Sequence, residues 1–280
     1  MFAYDFHLEL RFNWGLESCW LRSAARVSVL MGSEIETLVI HLARAEGRRA
    51  QVEKLLQGTP YPARVLAAVD GAIVPVAERN TAISNRPLFA PSYPFPIGSG
   101  EYGCFQSHRK AWQTILDEGL EAALILEDDV ELTPVFSDSL AFAVEQSKTY
   151  GYVQFQTRRV DKSSVVSRLG RSCLVQPQVT PLRTSAQVVS RSAAEKLLIL
   201  SEVIDRPVDA FLQSHWHTGL HVTCIVPSGI EDRTQETGGS TISLKRSIWA
   251  KMKHELKREF LRGRYRIAVK RLSKSANSVH

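Results

Sequence analysis

No stretch of this chain approaches the roughly 20 apolar residues that a membrane-spanning helix needs. The first thirty residues lack a basic start, an apolar core and a small-residue cleavage site, so no secretory signal is read there. Cysteines are few: Cys19, Cys104, Cys173 and Cys224 lie far apart without a Cys-x-x-Cys pair. That spacing argues against a zinc knuckle and a disulfide framework, and the four are read as reduced thiols. A glycine-rich phosphate loop is missing, which removes the main support for a nucleotidyltransferase, and no internal repeat is found. The chain closes on Asn277-Ser278-Val279-His280, without a Lys-Asp-Glu-Leu type retention signal. These absences set the expectation of a cytoplasmic protein.

What is present suits a globular α/β protein. A length of 280 residues with 44% hydrophobic content allows one sizeable domain with appendages. The formal charge of +6 is unevenly spread: residues 245–274 carry twelve Lys or Arg against two Glu, so this tail holds +10 and the rest −4. The expected division is residues 1–33 as an N-terminal extension, with Met31 an alternative start; 34–242 as the main globular domain; and 243–280 as a basic amphipathic helix and tail.

A β-α-β opening is predicted from the apolar run Thr37–Leu42, the helix formers of Ala45–Gln57 and the run Arg64–Val69, closed by Asp70-Gly71. Residues 84–99 are rich in Pro and aromatics and read as a loop that could act as a flap. Helical spacing of Tyr102, Phe105, Trp112, Ile115 and Leu116 predicts a helix over 100–118. Ala122–Leu126 follows as a buried parallel strand. Beyond it come a helix over 134–148, a strand at 152–156, short strands or an excursion over 163–182, a strand at 185–189 and a helix over 193–201. A short helix opens at Pro207-Val208-Asp209, a strand covers His221–Val226, a loop spans Gly238–Thr241, and the tail is helical from Ser243 to Lys270.

Glu127-Asp128-Asp129 stands where the central strand leaves the core. In open α/β sheets ligands bind beyond the carboxyl ends of the strands, and clustered carboxylates there can hold a hard divalent cation and, through it, phosphate. A solvated acidic turn is the alternative for the triplet alone.

The ordered pair Gly100-Glu101-Tyr102-Gly103-Cys104-Phe105-Gln106-Ser107-His108, running on to Trp112, and Ala123-Leu124-Ile125-Leu126-Glu127-Asp128-Asp129-Val130 closely resembles the signature of glycosyltransferase family 25. That family groups bacterial lipooligosaccharide galactosyltransferases with animal collagen galactosyltransferases. Supporting matches extend the likeness over about residues 37 to 242. There are departures: His41-Leu42-Ala43 replaces the family's Asn-Leu-Asp opening, and Gln187 stands where a Tyr is usual. The resemblance implies a GT-A type fold, a nucleotide-sugar donor such as UDP-galactose, a divalent metal (Mn²⁺ or Mg²⁺) and inverting transfer to a hydroxyl of a glycan or lipid-linked glycan. The lack of secretory and retention signals favours the bacterial surface-polysaccharide branch.

Asp129 is the first candidate metal ligand and Asp128 the second, with Glu127 turned to the ribose or a basic side chain. His221 could complete the metal shell. The three histidines 215, 217 and 221 do not otherwise have zinc-site spacing. An inverting step needs a base for the acceptor proton, and Asp209 is the candidate, Asp205 the fallback; Asp209 could equally be an N-terminal charge on its helix. Arg48, Asp70, Asp128 and His108 are assigned with Glu127 to the donor, since Arg pairs bidentately with phosphate. Ser107 and Gln187 are assigned to the acceptor; Ser107 and His108, adjacent on a helix, point about 100° apart and make a poor nucleophile-base pair. The basic tail can lie on anionic lipid or pack its apolar stripe on the domain. Two other readings stay open: an inactive family member acting as a scaffold, and binding of nucleic acid through the tail, although no base-reading module is present and no specific nucleic-acid contact is expected.

Overall fold

The structure, a computed structural model, describes residues 34–233 and 248–277. The N-terminal extension, the Met31 start, Cys19, the loop at 238–241 and the first residues of the tail lie outside the described residues. In chain order the strands are β1 (Ile35–His41), β2 (Ala63–Ala67), β3 (Ala122–Glu127), β4 (Val130–Leu132), β5 (Tyr152–Phe155), β6 (Ser163–Leu169), β7 (Ser172–Pro177), β8 (Ala186–Ser190), β9 (Thr223–Val226) and β10 (Ile230–Asp232). The helices are α1 (Arg49–Gln57), α2 (Val76–Ala82), α3 (Ser99–Asp117), α4 (Phe136–Tyr150), α5 (Arg191–Leu200), α6 (Val208–Gln213), α7 (His215–Thr218) and α8 (Ile248–Asn277). A 3-10 turn at Glu46–Arg48 precedes α1.

An eight-stranded sheet in the order β2-β1-β3-β8-β5-β9-β7-β6 forms the centre. β1 pairs in parallel with β2 and β3, and β5 with β9. β8 runs antiparallel to both its neighbours, and so does β7. Six strands therefore point one way and two the other, a mixed α/β sheet. β3 is buried from Ala122 to Leu126 because both faces are covered. Ala123 and Ile125 pack with Phe105, Trp112 and Ile115 of α3 and Leu197 of α5. Leu124 and Leu126 face Val52 and Leu55 of α1 and Leu140 of α4 on the other side. This explains why the strand reads as a continuous apolar run rather than an alternating one.

The carboxyl ends of β1, β2 and β3 share one edge, and because β8 is reversed, the segment entering it reaches the same edge. α3 starts there too, with Glu101 Oε2 accepting from the Gly98 amide at 2.7 Å. Its first turns press against the β2 exit so closely that two glycines are required. A Cβ on Gly103 would come within 2.5 Å of the Val69 carbonyl oxygen, and one on Gly71 would collide with the Ser99 carbonyl. Both members of this contact belong to motifs singled out in the sequence.

Several elements differ from the sequence reading. α4 begins at Phe136 rather than Pro134, because β4 intervenes after the acidic triplet and pairs antiparallel with β10. β9 begins at Thr223 rather than at His221. The proline-rich segment is clamped rather than a free flap: Ser84 N donates to the Ile204 carbonyl, Leu88 N to Asp205, and Trp216 Nε1 to the Ala90 carbonyl. Arg206, fully buried, makes a two-pronged pair with Asp205 at 2.7 and 3.0 Å, donates to the Phe89 carbonyl and lies 3.5 Å from the centre of the Phe89 ring. The C-terminal half of α8 packs on the domain, burying Val269 and Ser273, with Tyr265 edge-on to Tyr93 at 5.5 Å. No helix among the described residues is long and apolar enough to cross a membrane.

Candidate active site

A cleft of about 720 Å³ opens at the shared edge. Its wall includes Arg48, Asp70, Ser107, His108, Glu127, Asp128, Asp129 and Asp209, so one cavity gathers most of the residues singled out in the sequence. Gln187 and His221 are not among its lining.

The three carboxylates of the triplet have different surroundings. Asp128, buried, is held on both oxygens: Arg48 Nη1 donates to Oδ1 at 2.6 Å, and His41 Nδ1 lies 2.7 Å from Oδ2. The departure from the family at His41 is therefore a partner of the triplet. Asp129 Oδ2 is 3.9 Å from the same Arg48, and its carbonyl accepts from the Arg233 amide. Arg48 is raised above its usual range: burial opposes this, but the hydrogen bond and charge of Asp128, helped by Asp129, outweigh it. Glu127 turns the other way, accepting from Thr184 Oγ1 at 2.8 Å and lying 3.1 Å from His108 Nε2. Burial alone would raise the Glu127 carboxyl, yet these hydrogen bonds, with the charges of His108 and Arg183, hold it below the glutamate range.

His108 is fixed from behind by Gln187, whose Nε2 is 3.3 Å from His108 Nδ1. Gln187 is fully buried in β8, opposite Ile125, and its Oε1 has no partner. Its place is beneath the cleft, where it orients His108; the assignment to acceptor contact gives way to a positioning one because β8 turns this side chain into the sheet layer. His221 stands apart, 3.2 Å from Gln176 Nε2 and with its ring 4.7 Å from that of His215. Ser107, also buried, accepts from the Val69 amide and donates to the Gly103 carbonyl, tying α3 to the β2 exit. Asp70 accepts from Arg44 Nε at 2.6 Å and from the Ala72 amide; these bonds, Arg44's first, lower its carboxyl. Arg49 points away to Glu46.

Also lining the cleft, Asp209 sits in the first turn of α6. Burial pushes its carboxyl above the usual aspartate range against hydrogen bonds from the Ala210 and Arg183 backbones, and the charge of Glu127 adds to the rise. Arg183 adopts φ 92°, a strained conformation for a residue with a Cβ, worth about 1–3 kcal/mol. It is anchored by Gln154 donating to its carbonyl and by its side-chain pair with Asp232. Asp205, the fallback base, is committed to the Arg206 pair and does not line the cleft.

Sequence reasoning gave no role to Tyr93, Glu101, Cys104, Arg183 or Thr184, all of which line the cleft. Cys104 and Glu101 belong to the motif and could have been found by placing them about one and two turns before His108 on the same helix. Arg183 and Thr184 lie in an irregular segment without any periodic signal. Cys104, His108 and Glu127 each offer a ligand atom within 4.8 Å of the others.

Residues 34–212 match the family described as glycosyltransferase family 25 (LPS biosynthesis protein). The chain belongs to this family. It is 30% identical over 191 residues to procollagen galactosyltransferase 1 of Danio rerio, a match covering 63% of this chain and 30% of that protein. With the probable inactive glycosyltransferase 25 family member 3 of Rattus norvegicus it shares 31% over 190 residues, 63% of this chain and 32% of the relative. The chain thus spans about a third of the length of these curated relatives. Among solved structures it is similar to a mannose-1-phosphate geranyltransferase from Thermus thermophilus, with 16% identity, 69% and 73% of the two chains covered and a TM-score of 0.33. An overlap of that size adds nothing to the family match.

Proposed function

We propose that this family 25 chain transfers a sugar, galactose by the family's example, from a nucleotide-sugar donor to a hydroxyl of a glycan or glycolipid. The observation that carries the reading is the placement of Asp209, a raised carboxyl, in one cleft with Glu127-Asp128-Asp129. A carboxylate with raised basicity suits removal of a proton from an attacking hydroxyl, and on the side opposite the leaving group it gives inversion. The donor's diphosphate belongs at the triplet, where Arg48 supplies a fixed cation.

A hard divalent cation, Mn²⁺ or Mg²⁺, fits the oxygen-rich strand end. Asp128 has both oxygens engaged by His41 and Arg48, so Asp129 is the first ligand and Asp128 would share its charge through Arg48 or reorient. When bound, the ion neutralises charge on the departing diphosphate. His108, steadied by Gln187, and Glu127 orient the donor; Asp70 with Arg44 closes the nucleoside end. His221 has no part in this arrangement. A bacterial surface polysaccharide is the acceptor class we favour, built on the cytoplasmic side of the membrane, and the described part of the tail serves the domain before any lipid or nucleic acid.

A melting-temperature panel of UDP- and GDP-sugars with and without Mn²⁺ tests the reading. UDP-galactose with Mn²⁺ is expected to raise the melting temperature, and Asp129→Asn to lose that rise. If no donor stabilises the wild type in the presence of metal, the transferase reading fails, and the inactive-scaffold alternative, favoured by the rat relative's name, takes its place.

A further inference from the structure

A second cavity of about 670 Å³ adjoins the cleft, and Tyr93, Glu101 and Asp209 line both. Its outer wall is α8. Arg258, Arg262, Arg266 and Lys270 recur at every fourth residue and form one stripe of the helix; Leu261, Tyr265 and Val269 form an apolar stripe beside it. The stripe from 258 to 270 runs roughly 18 Å at 1.5 Å per residue. Facing it are Tyr93, Pro94, Phe95 and Pro96, with Val179 and Leu182 below. The guanidinium groups of Arg258 and Arg262 lie 5.3 and 5.8 Å from the Phe95 ring centre. Arg262 also pairs with Glu259.

Two carboxylates, Glu101 and Asp209, stand where the groove meets the cleft, and four cations, Arg258, Arg262, Arg266 and Lys270, line its helix wall. Aromatic and proline faces opposite a cationic stripe favour a ring-shaped polyol that carries negative charge, because arginine binds phosphate and carboxylate through paired hydrogen bonds. The length suits several sugar rings rather than one.

We infer that this groove is the acceptor site and that it takes an oligosaccharide bearing an anionic group, phosphate or carboxylate, with the hydroxyl to be glycosylated placed at Asp209. The inference rests on the proposed transferase reading and adds the acceptor's chemical class and the surface that selects it.

The full chain would be titrated by NMR with lactose, lactose 6-phosphate and sialyllactose, in parallel with the UDP-galactose and Mn²⁺ melting assay on the wild type. At least one anionic sugar is expected to bind tenfold or more tightly than lactose, with an advantage that shrinks at high salt. The comparison of phosphate with carboxylate identifies the preferred group. Arg262→Glu with Arg266→Glu is expected to abolish the advantage, and Arg266→Gln alone to reduce it with the fold intact by melting temperature. Arg271→Glu with Lys274→Glu, an equal charge change outside the groove, is expected to leave it in place. Equal binding of all three sugars, or an equal loss in the Arg271 and Lys274 variant, overturns the inference even if the donor assay succeeds. Capture of phosphatidylglycerol vesicles through Arg262 and Arg266 without any preference for the anionic sugars overturns it in favour of a lipid surface. A failed donor assay with intact anionic-sugar preference instead sinks the transferase reading and leaves a glycan-binding groove.

Discussion

At the scale of single residues, two carboxylates of the cleft have opposite electrostatic settings. Glu127 is held ionised by His108 and Thr184, whereas Asp209 has its proton held more tightly by burial. A folded-state proton affinity above the unfolded value of about 3.9 means that the wild type loses stability as pH rises through that value and past the raised one. Asp209→Asn escapes this cost. Its melting temperature at pH 7 is expected to equal or exceed that of the wild type, while transfer falls by about 10²–10⁴-fold, the usual worth of a general base. The acid limb of wild-type kcat/KM is expected above the ordinary aspartate range. A variant that melts well below the wild type at neutral pH, or a limb at the ordinary value, would count against the role. The chain's sequence offered Asp209 equally as a base and as a helix-start acid, because its elevation comes first from burial and then from the charge of Glu127, both set by parts of the chain distant in sequence.

At the scale of elements, what was legible follows from local signals. β3 and α3 could be read because an apolar run and a helical stripe are each written in consecutive residues. α2 has no buried residue and so no stripe to find. β4 and β10 are three residues each and exist only through their mutual pairing, Leu132 opposite Ile230. The clamp on the proline-rich loop depends on Arg206, again far along the chain. The meeting of α3 with the β2 exit was half legible: Gly103 could be read as a residue allowing close packing, but not that Gly71 is what it meets. Gly103→Ala is expected to cost about 1–3 kcal/mol as an overpacked contact, a drop of several degrees in melting temperature. Gly263, in α8 with open space around it, gives the opposite expectation: alanine there should gain about 0.5–1 kcal/mol from helix propensity. Thermal melts of the two variants side by side check both signs, and a tolerated Gly103→Ala would show that the contact is looser than described.

For the whole molecule, the amphipathic tail was the least decidable part of the sequence, since an apolar stripe bordered by cations serves a lipid surface and a protein surface equally. Packing of Val269 and Ser273 settles which body the described part covers. It also makes one body of two cavities whose boundary is three side chains. Tyr93, Glu101 and Asp209 present atoms to both cavities, so a ligand that shifts them on one side is expected to change the face the other side meets. Thermodynamic linkage then requires reciprocity: the factor by which UDP-galactose alters the affinity for an anionic sugar must equal the factor by which that sugar alters the affinity for UDP-galactose. Calorimetric titration of each ligand in the absence and presence of the other is expected to return one coupling constant, different from unity, and a value of unity in both orders would mean that the shared wall is rigid.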